Sequence, residues 1–303
     1  MASAKENVNS KNKKKNLKSA GIYILKDFLA LPVFTLSTKD TRREIVANFD
    51  NPVGGRIRVV AGEGRRLPTQ NEADVFVWLQ NYVFNQRKVG NYSYRVRVSL
   101  YEILQDMGKN CRYGRNYKYL HEAIINLLST RIYFEWSKGY KDEWSGGSFL
   151  SDKVLNDFGN YDFLDIDIPR WLFKKTMDFK NERLKVVDNY YHFHSNFEKR
   201  LYNVGRKRVG KQMAHPGIGL QKLFKKYYLE NSTYKKFVFR ICKIVEDQTI
   251  PNYWLKLEHL KKRKDSYKLF FLHEKHLKKL GVDKHSLPGL PLNRRNKGAD
   301  SGS

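Results

Sequence analysis

The stretch "STYKKFVFRICKIVED" (residues 232–247), with "NYWLKLE" (252–258) and "SYKLFFLH" (266–273) after it, decides how this chain folds. In the first segment Tyr234, Phe237, Ile241, Ile244 and Val245 recur at steps of three and four, which places them on one side of an amphipathic helix. Thr233, Lys236, Arg240 and Lys243 share the opposite side. Asn231 or Ser232 is suited to cap the helix. The next two segments read as strands joined by "HLKKRKD" (259–265), which puts Lys261, Lys262, Arg263 and Lys264 at a hairpin tip. Two further helical segments come first, "SNFEKRLYNVGRKR" (195–208) and "GLQKLFKKYYLE" (219–230). Three helices followed by a two-stranded basic hairpin is the winged-helix arrangement, a helix-turn-helix with an added β-wing.

The first half of the chain repeats the plan. "TQNEADVFVWLQNYVFNQ" (69–86) has a polar start and apolar Val75, Trp78, Leu79 and Tyr82 at helical spacing. "SYRVRVSL" (93–100) alternates as a strand does, and "SLYEILQDMG" (99–108) has a cap at Ser99 and a stop at Gly108. "GRNYKYLHEAIINLLST" (114–130) carries Tyr117, Leu120, Ile124 and Leu127 on one face. "RIYFEW" (131–136), a Gly/Ser loop around Gly146 and Gly147, and "FLDIDIP" (163–169) complete the module. The expected architecture is therefore α+β, two tandem winged-helix domains. A strand-rich lead-in and the first module occupy 21–180, and the second module occupies 181–287. A basic arm (1–20) and a polar tail (288–303) flank them, too poor in large apolar groups to form a core.

Charge indicates the partner. The chain has 303 residues, 58 basic and 31 acidic, for a net +27. That excess suits a polyanion, because lysine and arginine that neutralise phosphates release condensed counterions. No basic amphipathic membrane helix is evident, and no window approaches the ~18 uninterrupted apolar residues of a membrane span. Two distant cysteines, Cys111 and Cys242, form neither a zinc motif nor a disulfide framework, so a cytoplasmic protein without signal peptide is expected.

In a helix-turn-helix the later helix enters the major groove and the earlier one braces it. Helix 232–247 is therefore expected to contact DNA through Thr233, Lys236, Arg240 and Lys243, with Lys261, Lys262, Arg263 and Lys264 in the wing. In the first module the matching contacts are Arg112, Arg115, Lys118 and Tyr119, with Glu122 weakening the field on that face. On "EKRLYNVGRKRVGKQ" (198–212), Phe197, Leu201 and Val204 define the buried side. Lys199 and Arg206 lie almost opposite, with Arg200 and Lys207 a quarter-turn away. Those four are expected to clamp phosphates, which fixes register without reading sequence.

A catalytic alternative exists on paper. His192 and His194 bracket one hydrophobe and Tyr253 begins a Tyr-x-x-Lys, the elements of a rolling-circle nickase that attacks a phosphodiester through tyrosine with metal assistance. With 19 tyrosines in so lysine-rich a chain, such a match arises by chance. Asp162, Asp165 and Asp167 read as a solvated strand rather than a metal cluster, and the glycines of "GGRIRVVAGEG" (54–64) lack nucleotide-binding spacing. No cofactor, metal or catalytic residue is expected.

Several segments carry a resemblance. "LPVFTLSTKDTRR" (31–43), "LPTQNEADVFVWLQNYVF" (67–84), "GRNYKYLHEAIINLLSTRIYF" (114–134), "RLYNVGRKRVGKQ" (200–212) and "FKKYYLENSTYKKFVFRICKIVEDQTIPNY" (224–253) resemble the plasmid replication initiator protein A family, collinearly over roughly residues 27 to 258. Gly205 stands where the family has alanine, and Arg208-Val209 where His-Cys is common. The resemblance implies a non-enzymatic initiator that binds repeated double-stranded sites at a plasmid origin, helps open the adjacent duplex, and recruits the host initiator and replicative helicase. It also implies dimerisation as an option for the free protein. A winged-helix transcription repressor is a further alternative.

Overall fold

The computed structural model describes residues 21–48, 55–135, 147–150, 152–154, 163–177, 183–209, 217–228, 233–259 and 267–279. The arm, the tail and the hairpin tip 261–264 lie outside the described residues. The chain divides into two compact units, residues 1–207 and 208–303. This boundary falls later than the expected 180/181, at the end of the "RLYNVG" helix and not ahead of it.

In the first unit the elements run β1 (Tyr23–Leu25), α1 (Lys26–Ala30), β2 (Glu44–Asn48), β3 (Arg56–Val60), α2 (Gln70–Lys88), β4 (Arg95–Ser99), α3 (Leu100–Asp106) and α4 (Gly114–Ser129). They continue with β5 (Arg131–Glu135), β6 (Gly147–Ser148), β7 (Asp152–Val154), β8 (Phe163–Asp167), α5 (Arg170–Met177), β9 (Arg183–Lys185) and α6 (Asn196–Val209), whose last two residues belong to the second unit. The second unit continues with β10 (Ile218–Gly219), α7 (Leu220–Tyr227), α8 (Tyr234–Asp247), β11 (Tyr253–His259), β12 (Tyr267–His273) and α9 (Glu274–Lys279).

One topology occurs twice. In the first unit β4, α3, α4, β7 and β8 form strand–helix–helix–strand–strand, with sheet order β4-β8-β7. In the second, β10, α7, α8, β11 and β12 repeat it, with order β10-β12-β11. A longer helix precedes each set, α2 and α6. The difference lies after α4, where β5 and β6 leave to join β2 and β3 in a second sheet of order β2-β3-β5-β6. The "GGRIRVVAGEG" segment supplies β3 of that sheet. Its isoleucine and valine alternate with arginine so that Ile57 and Val59 are buried.

Around α2 the first unit builds its core. Thr69 and Glu72 form a reciprocal capping box, each satisfying one of the helix's orphan N–H groups. Phe76 of α2 meets Phe28, Phe34, Phe149 and Trp171 with ring centroids 5.2, 6.2, 5.0 and 6.2 Å away. Such tilted and edge-on pairs add about 0.5–1.5 kcal/mol each beyond burial. In the second unit Phe237 is the hub, with Phe224 and Tyr228 at 5.2 and 5.0 Å.

Candidate nucleic-acid interface

Helix α8 is held at both ends. Its N-cap is Thr233, whose hydroxyl accepts from the Lys236 N–H, so the cap sits one or two residues later than expected. At the other end Gln248 adopts a left-handed conformation (φ 49°). Its amide donates to Val245 O (2.6 Å) and Leu255 O (2.8 Å), while its carbonyl accepts from Leu255 N–H (2.9 Å). That side chain fastens the helix to β11. Phe237, Ile241, Ile244 and Val245 are buried as the periodicity demands.

The opposite face is open. Thr233, Lys235, Lys236, Phe239, Arg240 and Lys243 are all exposed. Lys235, Lys236 and Lys243 form no ion pair among the described residues. The expected four residues therefore share a solvent face, and Thr233 also serves as the cap. Lys235 and Phe239 were not anticipated. A phenylalanine lying off the apolar stripe, between Lys235 and Lys243 in angle, was the available signal. Beyond α8, β11 and β12 pair in antiparallel register from Tyr253↔His273 to His259↔Tyr267.

On α4 of the first unit Arg112, Arg115 and Lys118 are exposed, at and before the helix start. Glu122, counted against this face in the sequence, is in an ion pair with Arg65 at 3.0 Å. Tyr119 departs from expectation. It is half-buried, and burial followed by the nearby Glu72 and Asp74 carboxylates pushes its phenol far above the ordinary range. It belongs to the packing beneath the face, not to the face. Asn116 donates to Asn110 O (2.7 Å) and pins the preceding loop.

The expected phosphate clamp on α6 is corrected. Residues 197–205 are buried without exception, and Lys199 and Arg200 keep only 3% and 4% exposure. Lys199 Nζ lies 2.6 and 2.8 Å from the Asp74 carboxylate of α2. Arg200 donates to Phe34 O. The half-buried Arg206 and Lys207 donate to Lys185 O (2.8 Å) and Lys26 O (3.2 Å). A buried ammonium or guanidinium keeps its charge only beside a carboxylate or carbonyl, and these supply them. Asn203 donates to Tyr190 Oη (3.0 Å), and Val187 N–H donates to Tyr202 Oη (3.0 Å). This helix is an internal brace of the first unit. Burial pushes the Asp74 carboxyl up to about 6, against the pull of Lys199, and pushes the Lys199 ammonium down.

The nickase set does not assemble a nucleophile. Tyr253 has 0% exposure, its ring set against Phe271 and His273, so its hydroxyl cannot reach a phosphodiester. His192 ends a 3-10 turn (Tyr190–His192), and both His192 and His194 are exposed. Asp165 and Asp167 lie in two-pronged hydrogen bonds with Arg97 and Arg95, which hold both carboxyls below the ordinary range. Among the described residues no group of three or more His, Cys, Asp or Glu is placed to hold a metal, and no helix is long and apolar enough to cross a membrane.

Comparison with known proteins adds four findings. The family model for replication initiator protein A matches residues 26–255. A protein of Wigglesworthia glossinidia brevipalpis, provisionally named as a replication protein, is 26% identical over 234 residues, covering 73% of this chain and 80% of that one. The crystal structure of a selenomethionine derivative of domains 2 and 3 of RctB superposes with a TM-score of 0.61 at 10% identity, over 82% of this chain and 98% of that one. A second structure of RctB domains 2–3 gives 0.53 over 82% and 97%.

Proposed function

We propose that this chain, which belongs to the replication initiator protein A family, is a sequence-specific DNA-binding initiator of plasmid replication. In this reading it is not an enzyme and uses no cofactor. It binds repeated sites at the origin, promotes local opening of the duplex and gathers the host initiator and replicative helicase. The carrying observation is the exposed face of α8, where Lys236, Arg240 and Lys243 line one side of a helix capped and fastened at both ends. An α-helix about 10–12 Å across fits the major groove, about 12 Å wide. The repeated strand–helix–helix–strand–strand order, each with the sheet running first–third–second strand, supports two winged-helix modules. Arg112, Arg115 and Lys118 are the counterpart cations in the first. The hairpin tip residues Lys261, Lys262, Arg263 and Lys264 would follow the backbone beside the groove.

The test is a fluorescence-anisotropy titration of the purified chain against duplexes tiled across the DNA flanking its own gene, at two salt concentrations. Tight binding confined to a repeated element and surviving the higher salt is expected. Equal binding to every duplex that collapses with salt would reduce the +27 charge to phosphate attraction and sink the reading.

A further inference from the structure

Phe239 is 71% exposed, more than any other large apolar side chain among the described residues. A lone exposed phenylalanine needs no explanation; this one's neighbours do. At about 100° per residue, Lys236, Phe239, Arg240 and Lys243 fall within an arc of about 100°. All four are exposed. Four residues on the same helix, Phe237, Ile241, Ile244 and Val245, already supply its buried stripe. Phe239 is thus an extra apolar group, carried on the charged face of a helix whose two ends are fixed.

Two occupants can cover such a ring. A protein partner is disfavoured by its company, since lysine is depleted at protein interfaces and Lys235, Lys236 and Lys243 surround it. A duplex fits: Lys235 on one side of the ring and Lys243, Lys236 and Arg240 on the other meet phosphates, while the ring is directed at base edges. The major groove presents one apolar feature, the C5-methyl group of thymine. Resting on the DNA-binding reading above, we infer that Phe239 reads thymine, its ring packing on that methyl group and excluding water from it.

The experiment removes the methyl and nothing else. Once the preferred repeat is located, each thymine in turn is replaced by deoxyuridine and binding is measured for the full-length wild type, Phe239→Ala and Lys236→Ala. Loss of one buried methyl corresponds to about 3- to 5-fold in affinity. The wild type is expected to lose that much at one or two thymines. Phe239→Ala binds the native repeat more weakly and is indifferent to the same replacements, whereas Lys236→Ala keeps the wild-type sensitivity. Because Phe239 is exposed, its alanine variant should melt with the wild type in circular dichroism, which separates lost contact from lost fold. If the wild type prefers its repeat yet no deoxyuridine weakens it, or if Phe239→Ala stays sensitive, the methyl contact is wrong and the initiator reading stands. If no duplex is preferred at all, the initiator reading fails first and the Phe239 assignment falls with it.

Discussion

Asp74 and Lys199 form a buried ion pair, with side chains 5% and 4% exposed. At 2.6 Å the attraction is close to its maximum, yet burial still pushes each group toward its neutral form. Removing one partner leaves the other charge stranded, so Asp74→Asn should lower unfolding free energy by about 3–5 kcal/mol in urea titrations. The double replacement Asp74→Leu with Lys199→Met removes both charges and should match or exceed the wild type. Folded Asp74 holds its proton to about pH 6, whereas in the unfolded chain it releases it near 4. Between those values the folded state binds more protons, so raising the pH through that window costs stability. The wild type should therefore lose ground to the double variant as pH rises from 4 to 6, and a difference that stays constant would remove this account. None of this was legible in the sequence. Periodicity assigns a lysine opposite an apolar stripe to solvent, and only the tertiary fold brings Asp74, 125 residues away, against it.

Elements were far more legible than their surroundings. The capping signals at Thr69 and Ser99, the stripes of α4 and α8, and the β11–β12 pair all followed from local pattern, because caps and periodicity act over a few residues. The stripe expected on α2 did not, since residues 72–80 are buried on every side and Tyr82 is only half-buried. The sheet of β2, β3, β5 and β6 did not, since pairing strands from residues 44 to 148 depends on contacts that no local window contains. At the end of α8, Gln248 combines a strained backbone with a side chain that clamps β11. Gln248→Ala keeps the strain and loses the clamp, leaving Leu255 groups unsatisfied. Gln248→Gly loses the clamp but relieves the strain. Both should destabilise, with alanine worse by about 1 kcal/mol, and glycine proving the worse of the two would show that the φ of 49° costs nothing. On the exposed face, Lys236→Ala and Lys243→Ala should each lessen the slope of log K against log salt by about 1 if they meet phosphates. A base-reading lysine would instead relax preference at one position and leave the slope nearly unchanged.

For the molecule as a whole, the repeated order of helical and strand patterns in the sequence begins the second module at residue 181, but α6 braces the first unit up to Lys207. Basic residues at 199, 200, 206 and 207 looked like an outward face in the sequence because nothing there distinguishes a lysine that meets phosphate from one that meets a buried carboxylate. Among the described residues the candidate DNA face therefore narrows to α8 and to the start of α4, where cations are exposed. The boundary itself can be tested by truncation. A fragment ending at 180 loses β9, the partner of β1, and with it Val186, Tyr190, Phe197, Leu201, Tyr202 and Val204, all buried. Six such side chains at roughly 2 kcal/mol each are comparable with the whole stability of an ordinary domain, about 5–15 kcal/mol. Residues 1–180 should accordingly fail to melt cooperatively in circular dichroism, while residues 1–209, which retain α6 and the Asp74–Lys199 pair, should give a single sharp transition. A cooperative melt of the shorter fragment at the same temperature as the longer one would place the boundary back at 180 and make α6 an appendage of the first unit instead of its brace.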